Sequence, residues 1–266
     1  MTFLNYDFMK LALLAILIIS PLFGMLGTMI VSKKMAFFSD ALGHSALTGI
    51  AVGLIFGVKN TTLSMMVFAV VFALLLNAIA RRVAASNDTI ISVFSSTSLA
   101  IGLVILSRGG NFSKYSAMLV GDVLSITKTE IIYLGVMFGL TLVFWILCSN
   151  QLQAISLNKT LARSKNIPIR FYEDAFAVLV ALVVMVSIKW VGILIINAML
   201  ILPAAAACNL SANLREYHFF AILYALFSGV AGLIVSYYTD VATGPTIVII
   251  AAAIYLGTFL YGKRYQ

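Results

Sequence analysis

The sequence predicts an all-α protein, a polytopic membrane bundle of about eight or nine transmembrane helices that forms one domain over residues 1–266. Hydrophobic residues make up 62% of the chain and charged residues only 10%, whereas soluble domains carry about 25% charged residues. Apolar stretches of about 20 residues, the length of a spanning helix, follow one another almost end to end. We therefore expect a multi-pass membrane protein, surrounded by lipid.

Polar interruptions divide the chain into its predicted helices. The apolar segments are approximately 8–31, 36–57, 61–80, 88–107, 129–148, 174–188, 191–210, 219–238 and 243–262. The first is read as a spanning helix rather than a signal peptide, because Asp7 and a single Lys10 precede it and no small-residue cleavage site follows. The division at Lys189-Trp190 leaves eight and nine helices open, since the two short segments there could form one bent helix.

The distribution of Lys and Arg predicts the orientation, because cytoplasmic loops carry an excess of these residues. With nine helices and a cytoplasmic C-terminus, eleven of the 17 basic residues fall on the inner side and six on the outer side. We therefore predict that the N-terminus lies outside and the C-terminus in the cytoplasm. The same rule explains the net charge of +8 without a nucleic-acid partner.

The inner connection contains a short, basic helix with its start and stop signals in order. Asn158 is a candidate N-cap, Asn166 suits a left-handed position at the C-terminal end, and Pro168 stops the helix. A capped helix in the cytoplasmic loop, about residues 157–170, indicates a docking surface for a soluble partner. An ordinary positive-inside loop that happens to be helical is the alternative.

Asp40 and His44 are the ionisable pair that the pattern singles out. Their spacing places both on one face of a helix, about one turn apart. Ionisable groups at membrane depth are costly and usually functional, and a carboxylate with an imidazole suits a divalent ion such as Zn²⁺ or Mn²⁺. The alternative is that the two side chains pair with each other or cap backbone groups. Gly49 and Gly53 lie on the opposite face, where small residues allow another helix to approach closely.

The other acidic residues receive weaker interpretations. Glu173 and Asp174 lie at a helix border and need no special role. Asp240 lies in a predicted outer turn, before Pro245 at the first position of the next helix, where it meets arriving cations or serves the turn alone. Asp122 lies in the outer connection 108–128, which is expected to fold back toward the membrane. Asp122 and Asp240 are both candidates for a secondary position in the pore or its gate.

Two catalytic motifs are excluded by the residues present. The stretch from Gly257 to Lys263 imitates a phosphate-binding loop, but Arg264 follows where Ser or Thr is needed. The chain also lacks the HExxH motif of intramembrane zinc proteases. We therefore predict a protein that is not an enzyme and holds no permanent cofactor.

Six segments in this order span nearly the whole chain: Ser39–Gly49, Asn87–Ile91, Leu119–Ile126, Leu161–Pro168, Ala198–Ala205 and Gly244–Val248. Together they resemble the permeases of zinc and manganese ATP-binding-cassette importers, whose Asp-x-x-x-His signature matches the first segment. Three departures stand out. Gly43 occupies a position where Ser or Ala is usual in that family, Thr48 one where Pro is common, and Asn166 one where Gly is frequent.

The resemblance implies a homodimeric permease that imports Zn²⁺ or Mn²⁺ as substrate by alternating access. Two cytoplasmic ATP-binding-cassette ATPase subunits would hydrolyse ATP, and an extracytoplasmic substrate-binding protein would deliver the ion. Asp40 and His44 become the transient metal ligands. The ATPase-docking element becomes the segment Leu161, Ala162, Arg163, Asn166 and Pro168.

Two other functions remain as alternatives. A permease of similar architecture for a siderophore, haem or corrinoid would have a wide apolar path in place of Asp40 and His44. An ion-driven secondary carrier would show paired broken helices in two related halves, and no such repeat is visible in the sequence. Zinc is favoured over manganese because a histidine ligand suits it.

Overall fold

The computed structural model describes residues 6–82, 87–108, 121 and 123–262. These residues form ten α-helices: α1 (Asp7–Ser32), α2 (Ala36–Ile55), α3 (Thr61–Ala80), α4 (Asn87–Arg108), α5 (Lys128–Leu157), α6 (Lys159–Ser164), α7 (Ile169–Val191), α8 (Ile193–Leu210), α9 (Leu214–Thr239) and α10 (Thr243–Gly262). Within this described part, nine helices are long and apolar enough to cross a membrane. The all-α membrane fold is therefore confirmed, and the described residues hold nine candidate spanning helices rather than eight.

Some helices have the predicted bounds, whereas the two helices that flank the inner connection are longer than predicted. α3 and α10 coincide with the predicted 61–80 and 243–262. However, α5 continues to Leu157 and α7 begins at Ile169, so most of the predicted loop 149–173 is helical. At about 1.5 Å per residue, the 30 residues of α5 exceed the thickness of a bilayer's hydrocarbon core. A search for apolar stretches detects only the part of a helix that lies in lipid, and it misses the polar turns that extend the helix into water.

The break between the sixth and seventh spanning helices lies at Gly192, not at Lys189-Trp190 as predicted. α7 continues through Val191, and Gly192 adopts φ +81° before α8 begins. Only glycine reaches this conformation readily, so the backbone turns here whatever the polarity of the preceding residues. Gly121, with φ +70°, packs its Cα against the backbone of Val191 and Gly192. Asp122 and residues 109–120 of the predicted re-entrant segment lie outside the described residues.

The chain divides into two compact units. The first consists of the described residues within 1–34, 120–139 and 189–266, where α1, α8, α9 and α10 pack together. Gly24 and Gly27 let α1 approach its neighbours: a Cβ on Gly24 would lie 2.8 Å from Cα of Ile222, and one on Gly27 would overlap the carbonyl oxygen of Leu200. Close contact of small residues drives helix association in lipid, where no hydrophobic effect operates between helices.

The second unit consists of the described residues within 35–119 and 140–188. Here α2 packs against both α3 and α4, and this arrangement buries most of α2. Between Phe38 and Ala51, every residue of α2 is buried except Asp40 and His44. The fold thus leaves the predicted ligand pair as the accessible part of the otherwise buried stretch 38–51.

Candidate metal-binding site

Asp40 and His44 lie side by side in the first half of α2. Oδ1 of Asp40 and Nε2 of His44 are 3.5 Å apart, and the two side chains keep 42% and 32% of their surface exposed. The helix places them together because residues four apart are neighbours on one face. The predicted juxtaposition is therefore confirmed as geometry.

The distance between these two atoms is compatible with shared metal coordination. Zinc bonds of about 2.0–2.2 Å at a tetrahedral angle place two ligand atoms about 3.3–3.5 Å apart. The same distance is long for a hydrogen bond between the two side chains, for which about 2.7–3.2 Å is normal. Nδ1 of His44 is buried and makes no hydrogen bond among the described residues.

The pair is not joined by further ligand side chains in the described part of the chain. No group of three or more His, Cys, Asp or Glu residues that could hold a metal ion occurs there. Within the described part of the chain, Asp40 and His44 therefore supply two of the four positions of a tetrahedral ion.

The face of α2 opposite the pair is built for close packing, as predicted from Gly49 and Gly53. A Cβ on Gly49 would lie 3.0 Å from Cα of Met65 in α3, and one on Gly53 would overlap Ser64. The Ser64 hydroxyl donates a hydrogen bond to the carbonyl of Gly49 at 2.9 Å. The α2–α3 contact leaves no space for either helix to shift alone.

Thr48 holds the other side of α2 against α4, a role that the sequence did not reveal. Its buried hydroxyl donates to the carbonyl of Ser98 and accepts from Oγ of Ser98 at 3.0 Å. Gly102 follows one turn later, with its Cα face against the backbone of Thr48. The only available signal was a hydroxyl residue one turn beyond His44 and a polar run in α4. Thr48, where the family often has Pro, thus forms an interhelical hydrogen bond.

The predicted helix of the inner connection is confirmed as local structure. The Asn158 side chain accepts from the backbone N–H groups of Thr160 and Leu161, at 2.9 and 3.1 Å. Asn166 adopts φ +55°, the left-handed conformation predicted for it. Ala162 is buried and Leu161 is 55% exposed, so one apolar side chain anchors α6 and another faces outward. The docking role of this helix stays a prediction.

Glu173 and Asp174, taken from sequence as border residues without a role, are both engaged. Arg81 at the end of α3 makes two hydrogen bonds to Asp174, at 2.7 and 3.2 Å. Asn77 donates to the same carboxylate at 3.0 Å. Lys159 lies 2.9 Å from Glu173. Partners separated by this much chain could not be matched from sequence.

Asp240 lies in the turn between α9 and α10. It ends α9 in the left-handed conformation, with φ +51°, so its position has a backbone role. α10 begins at Thr243, which makes Pro245 the third residue of the helix rather than the first; a proline is tolerated throughout the first turn, where N–H groups have no helical partner. Its gate role stays a prediction, as does that of Asp122, which lies outside the described residues.

Comparison with known proteins shows which family the chain is similar to. Residues 5–262 match the ABC 3 transport family. The chain is 31% identical to the high-affinity zinc uptake system membrane protein ZnuB of Haemophilus influenzae, over 95% of this chain and 97% of that protein. It is 26% identical to the manganese transport system membrane protein MntC of Halalkalibacterium halodurans, over 98% of this chain and 89% of that protein.

A solved structure shares the fold. PsaBC from Streptococcus pneumoniae, in complex with Fab, superposes with a TM-score of 0.84 at 27% sequence identity, and the match covers 96% of this chain and 92% of that chain. Agreement over nearly the whole length means that the helices of the two proteins correspond throughout.

Proposed function

The chain belongs to the ABC 3 transport family, as a multi-pass permease subunit of the zinc and manganese importers of the cell membrane, and from this premise we propose that it conducts Zn²⁺ through a homodimeric pore. Asp40 and His44 act as transient ligands for the ion. ATP is hydrolysed on two separate cytoplasmic ATPase subunits, and a substrate-binding protein delivers the ion from outside.

One observation carries the proposal: the 3.5 Å separation of Oδ1 of Asp40 and Nε2 of His44 on the accessible strip of a buried helix. A carboxylate and an imidazole that could share one tetrahedral ion favour a borderline metal over Mg²⁺ or Ca²⁺, which prefer oxygen ligands alone. Two protein ligands also suit a conducted ion better than a stored one.

The docking of the ATPase is assigned to α6 on the basis of its composition and caps. The helix carries basic residues and presents the exposed Leu161. Asn166, two residues beyond its end, adopts the left-handed backbone conformation. A short helix that is anchored by one apolar side chain and exposes another supports a firm contact with the ATPase. The opposite orientation of the chain in the membrane would place α6 outside and contradict the assignment.

The test is uptake of zinc and manganese by metal-starved cells whose importer carries His44→Gln, Asp40→Asn or the unchanged chain. His218→Gln is the matched control, because His218 is the other histidine of the chain and lies in the other unit, beside Thr28. We expect both pair variants to lose zinc uptake at normal protein level, with the control unaffected. Loss of manganese uptake alone would refute zinc as the substrate, and undiminished uptake of both metals would refute the site.

A further inference from the structure

A junction of hydrogen bonds ties the beginning of α7 to the end of α3 within the second unit. Arg81 contacts Oδ1 and Oδ2 of Asp174 in a bidentate arrangement, at 2.7 and 3.2 Å. Asn77 adds a bond to Oδ1 of Asp174 at 3.0 Å and another to the carbonyl of Glu173 at 3.2 Å. Bidentate, charge-assisted pairs of this kind are geometrically specific and stronger than neutral hydrogen bonds. The two helix ends are therefore held as one body.

α6 is joined to α7 by a short connection, residues 165–168. Ala162 buries its side chain, and the N–H of Ile167 bonds to the carbonyl of Ala162 at 3.1 Å, which locks the connection to α6. The direct ion pair between Lys159 and Glu173 adds little, because Lys159 is 64% exposed and solvent weakens such pairs. The hydrogen bonds of Asp174 are therefore a strong link between α7 and α3, whereas the Lys159–Glu173 pair is a weak link between α6 and α7.

α3 in turn packs against α2, the helix that carries the candidate ligands. α2 and α3 form an antiparallel hairpin, so the start of α2, with Asp40, and the end of α3, with Arg81, lie at the same end of the pair. The hairpin is packed without space at Gly49, whose carbonyl accepts the Ser64 hydroxyl at 2.9 Å. Close-packed elements transmit displacement instead of absorbing it.

We infer that Asp174 is a positioning residue that transmits displacement of α6, through Arg81 and Asn77, to the α2–α3 hairpin and so to Asp40 and His44. The inference rests on the proposed function, in which a partner pushes or pulls on α6. Without the Asp174 junction, α6 and α7 would move together while α3 and the ligand helix α2 stayed in place. ATP hydrolysis would then continue without matching transport.

The experiment measures zinc uptake per ATP hydrolysed by the complete importer, with its ATPase and binding protein, in proteoliposomes. Asp174→Asn keeps the shape of the side chain and removes the charge-assisted fork; Glu173→Gln is the matched control at the neighbouring carboxylate. We expect the ratio to fall about tenfold in Asp174→Asn, the loss that one charge-assisted hydrogen bond represents, and by less than about twofold in Glu173→Gln. A merely structural role would lower uptake and hydrolysis together and keep the ratio constant, which would overturn the inference, as would equal losses in both variants.

A second measurement separates this inference from the identity of the cargo. If the unchanged importer transports neither zinc nor manganese, the proposed function fails, and the link is read by hydrogen–deuterium exchange of the same complex. We expect Asp174→Asn to accelerate exchange both in residues 77–82 and in residues 159–164, and Glu173→Gln to leave residues 77–82 unchanged. Unaltered exchange at the end of α3 in Asp174→Asn would overturn the inference.

Discussion

Replacing Gly102 by alanine should separate α4 from the ligand helix α2. A Cβ at this position would lie 2.8 Å from the backbone nitrogen and from Oγ1 of Thr48, and 3.0 Å from its Cα. Non-bonded heavy atoms prefer about 3.5–4.0 Å, so α4 must retreat by about 0.5–1 Å. The near atoms are mostly backbone of a buried helix, which cannot rotate away.

The cost has two parts. Overpacking of a close contact costs about 1–3 kcal/mol. The retreat also stretches the two hydrogen bonds between Thr48 and Ser98, each of which contributes about 0.5–1.5 kcal/mol. We therefore expect Gly102→Ala to lower the free energy of unfolding by about 2–4 kcal/mol. Uptake should fall as well, because Thr48 lies one turn beyond His44.

The assay is thermal unfolding in detergent, with Gly135→Ala in α5 as the matched control. A Cβ at Gly135 meets no neighbouring element within 4 Å among the described residues, so the same added methyl group only removes the helix penalty of glycine, about 0.5–1 kcal/mol. Gly102→Ala should lower the apparent Tm by about 5–10 °C, and Gly135→Ala should leave it unchanged or raise it. Equal melting temperatures for the two variants would refute the close α2–α4 contact.

Three further predictions concern helix ends. Asn158→Ala removes both capping bonds of α6 and should destabilise that helix by about 1 kcal/mol, seen as faster proteolysis within residues 157–168; a rate equal to that of the unchanged protein would contradict the cap. Asn166→Gly relieves the left-handed backbone at φ +55° and should leave thermal stability within about 0.5 kcal/mol of the unchanged protein, whereas Asn166→Val should lower it, and the reverse ranking would argue against this conformation. Asp240→Asn keeps a residue that tolerates φ +51°, so the Tm should stay unchanged while uptake falls; undiminished uptake would limit Asp240 to the turn.

The sequence determined those features that arise within a few residues of one another. The spanning helices follow from apolar length, since a backbone in lipid must satisfy its own hydrogen bonds. The Asp40–His44 pair follows from helical spacing, and the capped helix α6 follows from Asn158 and Asn166. Each of these depends on local backbone geometry, which a short stretch of chain specifies by itself.

Only the tertiary structure decided which distant residues meet. Arg81 and Asp174 are 93 positions apart, and Thr48 and Ser98 are 50 apart, so no local pattern pairs them. The break between α7 and α8 likewise lies at Gly192 because of its backbone conformation. The sequence-based prediction placed it at Lys189-Trp190 because of the charge there. Asp174, an acidic residue to which sequence reasoning assigned no special role, gains one because Arg81 and Asn77 of α3 lie beside it in the folded chain. A carboxylate at a helix border is ordinary until a guanidinium from another helix bonds to it.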